Sequence, residues 1–349
     1  MTHDRVVHAP RSECQVAAVA PGPLHCSFRL HERPRGDRRA PSRWQPRHRL
    51  RRLTIFAHNA PRARAVWAHW PVNLVDPDTL SVTSIAGFSV TDNYSGGHDD
   101  GATSVDEGGG TLYVTDRTNR MLFAVDPNAQ AITGSVPLGG PPDYVRFVAA
   151  TNELWVTEPG LQQLEIFKLG VDGVPVPDGA IPIENGPESL VIDEQRGRAY
   201  THRWQKTTLA IDVQARSIVA EWPNACASSR GLALDEARGI VFASCVEGTA
   251  AALDVGHDGQ LLSTMERGSG FDVIGYSTGL GHLYLAGGSC SCLVTLSVDA
   301  GGRLSFLDRA DAPSSTHCVV PDDVGHAWVC DPDGGQLFRV DDRLPGAAR

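Results

Sequence analysis

Short apolar runs of four to six residues, broken by polar or glycine-bearing turns, fill this chain from about residue 72 onward. Apolar and polar positions alternate within the runs, and Gly, Pro and Asp bound them, which predicts strands; no stretch carries a sustained helical period. The runs recur in a fixed order. An apolar strand such as SLVID (189–193), GLALD (231–235) or CVVPD (318–322) comes first. A turn such as DEQRGR or DEARG follows, in which Gly supplies backbone angles that other residues resist. A second strand is built on an aromatic residue: LYVTD, LWVTE, AYTHR, VFASC, LYLAG and AWVCD. A third strand often ends in Asp, as in LFAVD (122–126), LAIDV (209–213) and AALDV (251–255). ITGSV, IVAEW and LLSTM make a fourth.

The aromatic positions are Tyr113, Trp155, Tyr200, Phe242, Tyr284 and Trp328, spaced by 42, 45, 42, 42 and 44 residues. A period near that length is an array of equal supersecondary units, and four short strands with their turns make one propeller blade. A helical repeat of similar length is opposed by the β-branched and aromatic enrichment. The expected fold is all-β, a β-propeller of four-stranded blades. Six repeats are clear. VNLVD (72–76) and LSVTSI (80–85) read as the last two strands of a degenerate first blade, for which LTIFA (53–57) and the stretch around Trp67 are the weakly matching inner strands. Seven blades are therefore expected, in one domain spanning 72–341 with a short tail at 342–349.

The strand–turn–LYVTD pattern resembles the YVTN-type β-propeller repeats, and in particular the YncE-like propellers. GPESLVIDEQRGRAYTH, SRGLALDEARGIVFASC and GFDVIGYSTGLGHLYLAGG carry the resemblance, which covers roughly residues 72–341. It implies a seven-bladed disc, exported from the cytoplasm. These motifs specify a fold and leave activity open, because one fold hosts many functions.

The first 71 residues differ in composition. They hold 14 Arg, no Lys and four acidic residues, a net charge of +10, whereas the remainder is at −20. Eight prolines and seven histidines fall there too. Low apolar content with high charge predicts an extension outside the folded domain, or sequence ahead of the true start, whose deletion leaves unfolding unchanged. An Arg-rich arm also attracts phosphate, but no aromatic interleaving supports nucleic-acid binding. QVAAVA and LTIFA are too short for the apolar core of a signal peptide, and no apolar stretch is long enough to span a membrane. The acidic body disfavours nucleic acid and anionic membranes, and a monomer is expected.

Six of the eight cysteines lie in the repeats. Cys318 begins a first strand and Cys330 ends its partner across the Asp323–Gly325 turn; two repeats earlier, Cys226 lies just before a first strand and Cys245 ends its partner. Disulfides Cys226–Cys245 and Cys318–Cys330 are expected, with a periplasmic or extracellular location; buried free thiols are the alternative. Cys290 and Cys292, in GGSCSCL, are too few and too isolated for zinc.

Function is sought where first strands begin, beside the axis of the ring. Twelve residues before each aromatic, eleven in the last repeat, stand Gly101, Asp143, Glu188, Arg230, Asp272 and His317. Equivalent positions in a closed ring converge on the axis, and His98, Asp99 and Asp100 adjoin the glycine. This predicts a polar channel mouth that binds a small molecule carrying both charges, a protein partner, or a divalent cation such as calcium on Asp143, Glu188 and Asp272. A hydrated channel lining is the bland alternative. Second-strand ends add Asp116, Glu158, His202 and Asp331, with Arg203 and Trp204 following, as a secondary rim. No GxSxG, HExxH, phosphate-loop or dinucleotide motif occurs. A non-catalytic binding protein is the leading reading; a metal-dependent hydrolase resembling the propeller lactonases is the alternative, weakened because Asn185 is the only amide near the carboxylates.

Overall fold

The computed structural model describes residues 53–56, 71–77, 79–89, 100–322 and 325–346. Within them the chain forms a β-propeller. Five four-stranded antiparallel blades follow one another: I (102–137), II (145–182), III (188–223), IV (229–266) and V (271–311). Blade VI (319–341) has three strands. One further three-stranded sheet precedes them: Leu53–Phe56 pairs with Val72–Val75, which pairs with Val82–Ile85. The six clear repeats are thus six blades, and each expected aromatic lies in a second strand. LTIFA supplies the strand at 53–56, inside the segment that composition assigns to the extension; Trp67 lies outside the described residues.

Burial grades outward along each blade. Second strands are buried along their length, as in Glu153–Glu158, Ile240–Cys245 and His282–Gly287, while outer strands such as Ser217–Pro223 alternate exposed positions with half-buried ones and one buried residue, Trp222. The six aromatics are no more than 3% exposed. Each packs across to a neighbouring sheet, because a single layer cannot cover both of its faces. Tyr113 sits with Val145, Leu154 and Phe167 of blade II, and Trp155 with Leu190 and Leu209 of blade III. Tyr200 meets Leu232 and Val241, Phe242 meets Ile274 and Leu283, and Tyr284 meets Val319 and Val329. Trp328 packs with Val75 and Leu80 of the N-terminal sheet, whose Val72, Leu74 and Ile85 pack with Val114 and Phe123 of blade I.

The turns between first and second strands stitch the blades on the far face. Asp193 and Asp235 accept from the amides of Arg196 and Arg238 at 3.0 and 3.1 Å, closing their own turns. The adjoining glutamates reach back one blade. Glu194 accepts from the Ala149 and Ala150 amides at 2.7 and 3.2 Å, and Glu236 from the Gln195 amide at 2.9 Å. Gly197 and Gly239 complete these turns at φ of 58° and 68°, where a side chain is disfavoured. Packing also continues past residue 341. The fully buried side chain of Asp342 pairs with His282 at 2.7 Å and accepts from the Tyr284 hydroxyl, so the start of the tail is built into blade V. Burial, the largest single influence, lowers the His282 pKa, but the bond to Asp342, the Pro345 carbonyl and the Asp342 charge together outweigh it and hold the imidazole above its usual range.

The between-sheet position of the aromatics predicts a large asymmetry in substitution cost. Trp155→Ala is expected to lose about 3–5 kcal/mol in chemical denaturation, while Val219→Ala on an exposed outer strand stays within about 0.5 kcal/mol. Equal losses would contradict the assignment.

Candidate functional site

The first strands start, and the second strands end, on one face: Ala102 lies opposite Asp116, Glu188 opposite His202, Ser229 opposite Cys245, and Phe271 opposite Gly287. In each of these blades the register between the two strands slips just inside the face. The bulge is tied by a second-strand hydroxyl. Thr115 Oγ1 accepts from the Ser104 amide at 3.1 Å, and Ser244 Oγ accepts from the Gly231 amide at 3.0 Å. Such a bulge re-aims the side chains beside it.

Asp143, Glu188, Arg230 and Asp272, from blades II to V, are brought into one electrostatic neighbourhood. Arg230 approaches Glu188 at 3.6 Å, and Arg117 approaches Asp143 at 3.6 Å. Burial and then the Asp143 carboxylate push Glu188 up to about 8, with Asp272 adding to the shift and Arg230 and Arg117 opposing it. Glu188 is therefore largely protonated at neutral pH. The buried Tyr144 phenol senses the same group: burial, then Asp272, Asp143 and Glu188, hold it well above its usual range, and the Arg146 guanidinium lies 5.1 Å from its ring centre. Gly231 is required beside Arg230, because a Cβ there would stand 2.0 Å from the Asp272 carbonyl oxygen.

His317 joins Arg230 and Asp272 in an open cleft of about 370 Å³ between blades IV, V and VI. Buried Phe271 forms part of its wall, and Ser289, Ser315 and Thr316 line it with hydroxyls. His317 Nδ1 faces the Ser315 carbonyl at 3.2 Å, and its own carbonyl accepts from the Val273 amide at 2.8 Å. Gly101 holds backbone bonds to Thr118 Oγ1 and to the Arg117 amide. His98 and Asp99 lie outside the described residues.

Calcium on Asp143, Glu188 and Asp272 does not fit this arrangement. Among the described residues no three His, Cys, Asp or Glu side chains come together as a metal cradle. Asp143 and Glu188 each already face a guanidinium at 3.6 Å, from Arg117 and Arg230 respectively.

The secondary rim is turned into the segments that link blades. Asp116 accepts from the Ser89 amide at 2.6 Å, Glu158 from the Gly140 amide at 2.7 Å, and Asp331 from the Ser315 hydroxyl. His202 is fully buried against Thr208 and Asn224, and burial pushes it down to about 3, so it is neutral. Arg203 ties the Glu184 carbonyl and Glu221, while Trp204 stays exposed. In blade IV the equivalent second-strand end is Cys245, and its link partner is Cys226: a disulfide does there what a carboxylate does elsewhere.

Cys226–Cys245 and Cys318–Cys330 are both bonded, with Cα separations of 5.2 and 5.5 Å. A third disulfide, Cys290–Cys292, was not expected from spacing two residues apart. Arg117, Tyr144 and Arg146 were also missed. Each lies one to three residues from an expected position, and a repeat alignment that nominates one residue per blade passes over its neighbours.

Glu188 generates a pH prediction. Its folded pKa of about 8 exceeds the ordinary carboxyl value of 4.5, so the folded state holds a proton that the unfolded chain has released between those pH values. Its contribution to stability therefore falls as pH rises from about 4.5 to 8. Glu188→Gln is expected to flatten melting temperature against pH in that window, and to melt roughly 2–4 °C above the parent at pH 8. An unchanged profile would show that Glu188 titrates normally.

No protein-family model and no curated protein matches the sequence. Solved structures do. The β-propeller domain of Myceliophteria thermophila Cps50 (Swd1) superposes with a TM-score of 0.66 at 12% identity, covering 83% of this chain and 99% of that one. A chain of the mitotic checkpoint complex gives 0.66 at 11%, over 84% and 86%. Kuenenia stuttgartiensis hydrazine synthase gives 0.62 at 12%, over 78% and 90%. At such identities the likeness is one of fold, and the fold is the β-propeller.

Proposed function

We propose that this protein is a non-catalytic propeller that presents the face where its first strands begin to a polar ligand carrying both charges, borne by a small molecule or by a protein partner. One observation carries the reading. Asp143, Glu188, Arg230 and Asp272 come from four blades, influence one another's charge, and continue into a cleft that adds His317 and several hydroxyls. Arg230 suits an anionic group and Asp272 a cationic one, and the partial burial of both residues strengthens such contacts over their value in water. The assembled charge is costly to maintain for packing alone.

Two aspects of the reading concern the whole chain. The N-terminal sheet packs between blades VI and I, which supports counting it as a seventh blade of a closed YVTN-type, YncE-like ring. Three disulfides suit an oxidising compartment, periplasmic or extracellular. Among the described residues no helix is long and apolar enough to cross a membrane.

Thermal-shift and calorimetric titration with zwitterionic compounds such as amino acids tests the site. A ligand that raises the melting temperature of the parent is expected to bind Asp272→Ala and Arg230→Ala at least tenfold more weakly, with the unliganded midpoints little changed. Undiminished binding in both variants would place the working surface elsewhere. A chain starting at Pro71 tests the seventh blade. It loses the strand at 53–56 and is expected to melt below the full chain, because an unpaired edge is left at 72–75.

A further inference from the structure

We propose that Cys290–Cys292 is a thiol–disulfide exchange site on the rim of the cleft, accepting two electrons from cysteinyl thiols. Its place in the fold separates it from the other two disulfides. Cys226–Cys245 and Cys318–Cys330 span 19 and 12 residues, whereas Cys290 and Cys292 are two apart. A cross-link over so short a loop constrains the unfolded chain least, so it adds least to stability.

The bond is also not needed to shape its turn. Ser291, between the cysteines, has a left-handed φ of 47° just ahead of the third strand. The other five blades place a left-handed residue at that same position without a cross-link: Arg120 at 53°, Gln162 at 54°, Lys206 at 60°, Gly248 at 103° and Gly335 at 62°. The hairpin itself dictates this geometry. A structural reason for the cysteines is therefore missing where structural reasons for the other pairs are plain.

Access favours chemistry at one sulfur. Cys292 is fully buried, while Cys290 is half-buried, and the two residues before it, Gly288 and Ser289, line the cleft. In Cys226–Cys245 both partners are no more than 1% exposed. Cys318 is half-buried, but its partner lies in a paired strand whose amide bonds the Cys318 carbonyl at 3.1 Å. The Arg309 guanidinium donates to the Cys290 carbonyl at 3.0 Å and brings a positive charge to the turn, which favours thiolate over thiol.

The step balances without a further oxidant. A substrate thiolate attacks Cys290 Sγ, forming a mixed disulfide and releasing Cys292 as the thiolate. A second substrate thiolate attacks the substrate sulfur of that bond and releases Cys290. Two thiols have become a disulfide, and the protein disulfide has become a dithiol that takes up the two protons. Attack is assigned to Cys290 Sγ and departure to Cys292 because Cys290 is the less buried of the two, although its sulfur also packs against the cluster around Phe271.

The intact oxidised protein, equilibrated with graded ratios of reduced to oxidised glutathione, alkylated and mapped by mass spectrometry, decides the matter. Cys290 and Cys292 are expected to open at a ratio at least about tenfold less reducing than either other pair, about 30 mV apart, with the fold retained by circular dichroism. Opening of all three together, or of Cys290–Cys292 last, would overturn the proposal. Direction of attack is read with Cys292→Ser treated with oxidised glutathione. A glutathione adduct on Cys290 that forms faster than one on Cys318 in Cys330→Ser is expected; no adduct, or a slower one, counts against exchange at this turn.

Discussion

A four-stranded sheet has two faces and no means of covering both by itself, and the rest of this molecule follows from how that is resolved. Every blade inserts a second-strand aromatic, from Tyr113 round to Trp328, into the gap against the next sheet. The core is therefore a set of slots between neighbours instead of one interior. A slot exists only if the next sheet is present, so the array must continue until its ends meet. The contacts of Val75 and Leu80 with Trp328 carry the same packing from the last blade to the N-terminal sheet.

Radial stacking forces the polar chemistry inward. First strands from different blades approach one another near the axis, closely enough that Gly231 has no room for a side chain against the Asp272 carbonyl. Side chains at equivalent positions then meet although some 42 residues separate them in sequence. Carboxylates gathered this way resist ionising together, and the effect is seen at Glu188, which burial and then the Asp143 charge push up to about 8 although Arg230 lies 3.6 Å away.

The linking segments show one mechanical task met by different chemistry. Asp116, Glu158 and Asp331 hold the incoming chain by hydrogen bonds, and Cys245 holds it covalently through Cys226. On the far face Glu194 and Glu236 stitch the turns of adjacent blades. The ring is thus tied at both faces, and the three blades bordering the cleft carry the three disulfides found among the described residues. Among these, the bond at Cys290–Cys292 alone ties no link and no strand pair, and that is why it stands out as chemistry.

Strand content, blade period and the identity of the buried aromatics were legible in the sequence, because each depends on spacing within one unit. Cys318–Cys330 and Cys226–Cys245 were legible for the same reason, since antiparallel register brings a residue at or just before the start of a first strand close to the end of the second. Convergence of Asp143, Glu188, Arg230 and Asp272 could be named from repeat equivalence alone. The rim carboxylates, drawn in advance as part of a working face, turned out to anchor links, a choice made by amides that sequence spacing does not locate. Whether the carboxylates would bind a cation depended on Arg117 and Arg230 reaching them and on how far Glu188 is desolvated, which are distances across blades. The pairing of Leu53–Phe56 with Val72–Val75 bridges a composition break that pointed the other way. Spacing along the chain determines what a unit is; contacts between units, which no local pattern encodes, decided what the charges at its edge become.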